Sequence, residues 1–427
     1  MRIRAHVVDT ANAPHVSRRR VALPSPDVRR HGLCQLLGKS SKVPKRSIDK
    51  FHYFAYFHQM VKSRKIAKSM ESAALDTVRA LLQRVPNIQI AAVRHKEHLA
   101  SDYRLDASIE FGHDGICYAL LIEFKLDGAP RHVRSAVYQL ESCIAHLNRS
   151  RHKGLTRRFI PFLVSPYLSP MSRSICLDHN VAYLDLCGNA RLEFGNVYIE
   201  RSVPDRPKSE VRAQRSLFTP RAGAILRVLL RDPVRAWRVT DLALAANASI
   251  GHVSNVRRTL LDREWAEIRG DGLGLVQPDA LLRSWRENYR RSNGHHVSGY
   301  TNLHGDQLHG RLSEFLSPGP QPPRAIFASS SAAQWFAPYV RDGTHSFYAD
   351  ELGARLLKET LQLTHAARGA NVILRIPRDE TLFEDAVQPT PGIYCANPVV
   401  TYLDLWNGND RDREAADHLA DKCFPWL

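Results

Sequence analysis

The segment from Thr219 to Gln277 restricts the fold more tightly than any other part of this chain. Thr219-Pro220 predicts a helix start, with Thr as N-cap and Pro at the first helical position, where its missing N–H costs nothing. Ala224, Ile225, Val228 and Leu229 then repeat on one apolar face. A second helix opens near Thr240-Asp241 and carries Leu242, Ala243 and Ala246. Asn247-Ala248 makes a tight turn, and Ser249 caps a third helix that runs to Arg263 and buries Val253, Val256, Leu260 and Leu261. Small residues at the turn let the two helices cross closely. Trp265–Ile268, the turn Gly270-Asp271-Gly272 and Leu273–Gln277 follow as a two-stranded hairpin.

Helix, helix, turn, helix and hairpin is the order of a winged helix-turn-helix, and the stretch resembles winged helix transcriptional regulators. The open face of the third helix carries Ser249, His252, Ser254, Asn255, Arg257 and Arg258. Such side chains hydrogen-bond base edges and phosphates from the major groove of double-stranded DNA. A scaffold role for the module is the competing reading.

Charge follows the same division. The net charge of +17 is concentrated in two places. Residues 1–70 hold 16 Lys and Arg against 3 acids, and residues 201–300 hold 18 against 10, whereas 301–427 hold 11 against 16. Basic blocks attract polyanions by counterion release. The arm 1–70 mixes Pro, Ser and Arg without periodicity and reads as disordered, with Met60 and Met70 as alternative starts. The seven cysteines form no CxxC pair, which argues against a zinc knuckle or a disulfide framework and fits a reducing cytoplasm. No apolar run approaches the roughly 18 residues of a membrane span, and the N-terminus lacks the apolar core of a secretory signal.

Residues 71–202 alternate helical and strand patterns, which predicts an α/β domain. A helix begins at Met70–Glu71, and strands are expected at 88–94, 103–111 and 116–125, the last two joined by the turn Gly112-His113-Asp114-Gly115. A helix over 133–147 follows, then strands at 159–164, 182–185 and 198–201. Asp106 lies on one strand of the hairpin, and Glu123 and Lys125 share a face of the other. Two carboxylates beside a lysine suit a Mg²⁺-dependent phosphodiesterase: Asp106 and Glu123 would hold the metal, with Gln139 and Glu71 as auxiliary groups. The order of these residues is similar to that of the PD-(D/E)xK nuclease superfamily, although Leu105 replaces the proline before Asp106. The alternative is an ion trio on an amphipathic hairpin, or an inactive fold kept for binding.

Residues 203–216 and 291–300 read as linkers around the helical module at 217–290, and 301–427 as a second α/β domain. In the latter, Ser329-Ser330-Ser331 reads as helix capping, and a nucleotidyltransferase reading is weak because no Asp-x-Asp follows. Gly188-Asn189 reads as a structural turn. The fold class expected is a multidomain α/β chain: a restriction-endonuclease-like domain, a winged helix-turn-helix and a C-terminal α/β domain.

Three segments together resemble one family. YLDLCGNARL at 183–192, the winged helix at 217–282 and YLDLWNGNDRDREAADHL at 402–419 are similar to the AbiEi-like antitoxins of type IV toxin–antitoxin systems, in the branch of transcriptional regulators. The resemblance implies a bacterial antitoxin that represses its own operon. It also implies a neighbouring nucleotidyltransferase-like toxin, opposed without a necessary complex. A homodimer is expected because repressors read paired half-sites. No cofactor is implied unless the nuclease-like site is active, in which case it is Mg²⁺.

Overall fold

Alternating apolar residues at 103–125 form the second and third strands of a seven-stranded sheet. The computed structural model describes residues 70–427 except 101–102, 150–156, 204–206, 291–293, 316–323, 340–342 and 366–368. These residues all belong to the unit 63–427, and the arm expected at 1–70 lies outside them apart from Met70. The strands β1 (Gln89–Ala100), β2 (Tyr103–His113), β3 (Ile116–Phe124), β4 (Arg157–Ser165), β5 (Ala182–Asp185), β6 (Ala190–Phe194) and β7 (Val197–Arg201) stand side by side in chain order. Pairing is antiparallel from β1 to β3, parallel from β3 through β5, and antiparallel to β7. Each parallel step needs a crossover, supplied by helices α2 (Pro130–Arg149) and α3 (Pro170–Asp178). Helix α1 (70–82) packs Ala74, Val78 and Leu82 on the face formed by Ile109, Leu120 and Ile122. Helices α2 and α3 cover the other face, against Ala119, Leu121 and Leu163. The β2–β3 turn places Asp114 and Gly115 at φ 50° and 74°, the left-handed pair that a two-residue hairpin needs.

The helical module contains α4 (Lys208–Leu217), α5 (Pro220–Arg231), α6 (Val239–Ala245), α7 (Ile250–Asp262), the hairpin β8 (Ala266–Arg269) and β9 (Gly272–Leu275), and α8 (Pro278–Asn288). The stretch expected as a linker at 203–216 therefore holds most of a helix. Its strongly amphipathic but charged sequence, KSEVRAQRSL, hid the pattern. Asn247 takes φ 45° at the α6–α7 turn. Gly272 has no room for a side chain, since a Cβ there would lie 2.8 Å from the Ala236 carbonyl carbon.

The third part has β10 (Gly294–Tyr300), α9 (Gly305–Phe315), β11 (Ala325–Phe327), α10 (Ser329–Phe336), β12 (His345–Ala349) and α11 (Glu351–Thr360). It continues with β13 (Thr364–His365), β14 (Val372–Pro377), α12 (Thr381–Glu384), β15 (Val387–Thr390), β16 (Ile393–Cys395), α13 (Pro398–Trp406) and α14 (Asp410–Cys423). Its sheet runs β13-β10-β14-β12-β11-β16-β15. The second expected linker, 291–300, instead supplies β10, which pairs along β14 from Gly294 to Gly299. Most β10 side chains face solvent, so its hydropathy carried no strand signal.

The core of the helical module does not close on itself. Ile225, Leu229, Leu281 and Trp285 belong to the same apolar cluster as Leu403, Leu419 and Phe424 of α13, α14 and the C-terminus. Arg227, buried in α5, donates to Asp385 and to the Thr381 carbonyl and hydroxyl across this junction. Among the described residues no helix is long and apolar enough to cross a membrane.

Candidate functional site

The first candidate site stands at the end of β3. Ala107 pairs with Ile122, so Asp106 faces Glu123 one step further along the hairpin. Glu123 is buried on the face that α2 covers. Lys125 Nζ donates to Glu123 Oε1 (2.7 Å), and Gln139 Nε2, from α2, donates to Glu123 Oε2 (3.0 Å) and to the Arg104 carbonyl (3.0 Å). Asp106 Oδ2 accepts the Phe124 N–H (2.8 Å). The structure thus brings together Asp106, Glu123, Lys125 and Gln139. Glu71 borders a small recess with Phe124 and Lys125. Burial pushes the Glu123 carboxyl above its ordinary range; the Asp106 charge adds to this, and the Lys125 bond and charge oppose it.

Two facing carboxylates are the donors that a hard cation such as Mg²⁺ takes. Both Glu123 oxygens already accept hydrogen bonds, so coordination would exchange those bonds for metal contacts. With the bonds in place, Lys125 is the counter-ion of Glu123.

The second candidate site is the open face of α7. Ser249 caps the helix, its Oγ accepting from the His252 N–H (3.3 Å) and lying 3.1 Å from His252 Nδ1. Ser254, Asn255 and Arg258 are exposed, and Arg258 Nη2 donates to Asn255 Oδ1 (3.0 Å); Arg257 is half-buried. Two apolar residues on this side escaped sequence reasoning, Leu244 (86% exposed) and Ile250 (57%). Both stand in solvent near the polar side chains of α7. At the hairpin tip the cations are paired, Arg238 with Asp271 (2.6 Å) and Arg269 with Glu267 (2.8 Å).

The other end of α7 is anchored to the first domain. Arg134 Nε on α2 lies 2.9 Å from both Glu264 oxygens, and Arg263 pairs with Glu210 at 2.8 Å. His132 stands between Asp127 (3.5 Å) and Asp262 (3.8 Å). These three could hold a metal ion, but all are at least partly exposed and serve equally well as an ion-pair bridge. A cleft of about 430 Å³ lies beside them, lined by Leu126, Asp127, Tyr167, Thr259, Asp262 and Arg263 among others, so it opens one residue beyond Lys125.

The motif aspartates have structural roles. Asp185 accepts from the N–H groups of Leu168, Cys187 and Asn189 and from Asn189 Nδ2, tying the turn at Gly188 (φ 106°). Asp404 accepts the hydroxyls of Tyr289 (3.0 Å) and Tyr348 (2.7 Å). The capping read into the serines at 329–331 is not what they do. The N-cap is Ala328, without a side-chain bond, and Ser331 Oγ instead accepts the Ser346 N–H and ties α10 to β12.

Neither a curated protein nor a solved structure matches the chain. Residues 274–425, from the second strand of the hairpin to the end of the C-terminal helix, match the family described as "Transcriptional regulator, AbiEi antitoxin, Type IV TA system".

Proposed function

We propose that this chain is a DNA-binding transcriptional regulator, the antitoxin of a type IV toxin–antitoxin system, and that it represses its own operon. The family match carries the reading. The matched segment begins inside the hairpin and shares one apolar core with α5 and α7, so the two act as one body. In this reading α5–α7 and the hairpin are a winged helix-turn-helix. The exposed half of α7 enters the major groove, with Asn255 and Arg258 at base edges and Ser249, His252, Ser254 and Arg257 beside them. The basic arm adds phosphate contacts, a homodimer reads paired half-sites, and a nucleotidyltransferase-like toxin encoded next door is the functional partner.

A reporter fused to the chain's own upstream DNA tests this in cells. Wild type should repress it and Arg258→Ala should relieve repression, while co-expression with the neighbouring toxin should restore growth. Repression that survives Arg258→Ala and Asn255→Ala together removes α7 from the account.

The assembled Asp106, Glu123, Lys125 and Gln139 favour a second reading, a Mg²⁺-dependent DNA endonuclease directed by the same module. Asp106 and Glu123 would hold the ion, which would polarise the phosphate. Lys125 would steady the attacking water or the leaving charge, and Gln139 would orient Glu123. Cleavage of supercoiled DNA by wild type in Mg²⁺ or Mn²⁺, lost in Lys125→Ala, would establish it. Intact DNA with both proteins would leave the cluster as a structural ion trio.

A further inference from the structure

Arg375 lies on β14, between His296 of β10 and Tyr348 of β12 in the pairing register. Directly paired residues project to the same face, so the three form a row across the third sheet. The opposite face is closed, with Val372, Leu374 and Ile376 buried in a cluster with residues of α9 and α11. On the Arg375 face, α12 and α13 pack over β11 and β12, and that cluster takes in no residue of β10 or β14. His296 is exposed and Ser298 half-buried on the part left open.

A cavity of about 360 Å³ occupies this place, with His296, Ser298, Tyr348 and Arg375 in its wall. It shares Gly294 and His295 with a wider groove of about 860 Å³ that also contains Arg324. Two of the three acids of the wider groove have cationic neighbours, Asp350 with Arg324 (2.9 Å) and Glu351 with His295 (3.5 Å); the third is Glu380. Arg375 differs: its Nη1 is buried and has no hydrogen-bond partner among the described residues. The Tyr348 hydroxyl beside it donates to Asp404 and makes no bond to this Nη1. A buried guanidinium N–H without an acceptor is costly, and guanidinium geometry matches an oxyanion with two parallel bonds.

We propose that this cavity binds a small phosphorylated ligand, with its phosphate on Arg375 and with His296 and Ser298 as further donors. The cavity has the size and concavity of a small-molecule site. A cavity of about 360 Å³ admits a compact phosphate compound and is too small for a duplex.

Isothermal titration of the full chain with inorganic phosphate, pyrophosphate and ATP tests the assignment, with a short DNA duplex as the comparison. Arg375→Gln and His296→Ala are run beside wild type; His296 is exposed, so its replacement leaves the fold intact even where Arg375→Gln does not. The expected result is saturable binding of at least one of the three phosphate compounds. Arg375→Gln should weaken it about tenfold, in line with loss of a charge-assisted bond, and His296→Ala by a smaller factor. Absence of saturable binding, binding that His296→Ala and Arg375→Gln both leave unchanged, or binding of the duplex alone would overturn it.

Discussion

Asp404 and Asp185 sit in the same tetrapeptide, Tyr-Leu-Asp-Leu, which is β5 and the residue after it at 183–186 and part of α13 at 402–405. Both aspartates are about 1% exposed; Asp185 is held by nearby donors at Leu168, Cys187 and Asn189, and Asp404 by the distant Tyr289 and Tyr348. Removing such an acceptor strands its donors in a dry interior. Asp404→Ala should therefore cost roughly 2–4 kcal/mol, read as a lower denaturation midpoint, because the Tyr289 and Tyr348 hydroxyls lose their partner. Glu123 behaves in the opposite sense. Its carboxyl is raised by burial, so the folded state holds that proton more tightly than the unfolded chain does. Its contribution to stability is most favourable at acid pH and declines as pH rises from the ordinary carboxylate value through the raised one. Glu123→Gln should raise the melting temperature at neutral pH and lose that advantage in acid; thermal melts across pH check it, and a neutral-pH loss of stability would contradict it.

Among the elements, α7 is divided in its duties. Its C-terminal end is fastened to α2 through Arg134–Glu264 and to α4 through Arg263–Glu210, the turn before it is tied to α12 through Asn247–Glu384, and the face that carries Ser254, Asn255 and Arg258 is exposed. Ser249→Ala should cost about 1 kcal/mol through loss of the cap, and should weaken DNA binding as well if this end enters the groove. Denaturation and anisotropy separate the two effects. The hairpin at 103–125 and the meeting of Asp106, Glu123, Lys125 and Gln139 were legible in the sequence. They depend on period-two alternation, a left-handed Asp-Gly turn and one short crossover, all local. β10 was not legible, because a strand with most of its side chains in solvent has no apolar alternation to show. Nor was β6, whose Ala190, Leu192 and Phe194 alternate correctly but follow a glycine turn and precede another. The anchoring of α7 was also hidden, since Arg134 and Glu264 are 130 residues apart.

At the scale of the molecule, the helical module and the C-terminal part are one cooperative body. Ile225, Leu281, Leu403 and Phe424 share a core, and the buried Arg227 bonds across the junction. A fragment ending at residue 290 should therefore fail to fold, whereas one covering 208–427 should fold; circular dichroism and thermal melts distinguish them, and a cooperative melt of the shorter piece would refute the shared core. The segment 274–425 that matches the family builds about half of the core beneath α7.

Fluorescence anisotropy with the chain's own upstream DNA, in EDTA, tests most directly whether the exposed face of α7 reads DNA. Wild type should bind this DNA more tightly than a scrambled duplex. Asn255→Ala and Arg258→Ala should each weaken binding about tenfold with little change in melting temperature, in keeping with the value of a good base contact. Equal affinity for scrambled DNA, or variants that bind as wild type does, would contradict the account.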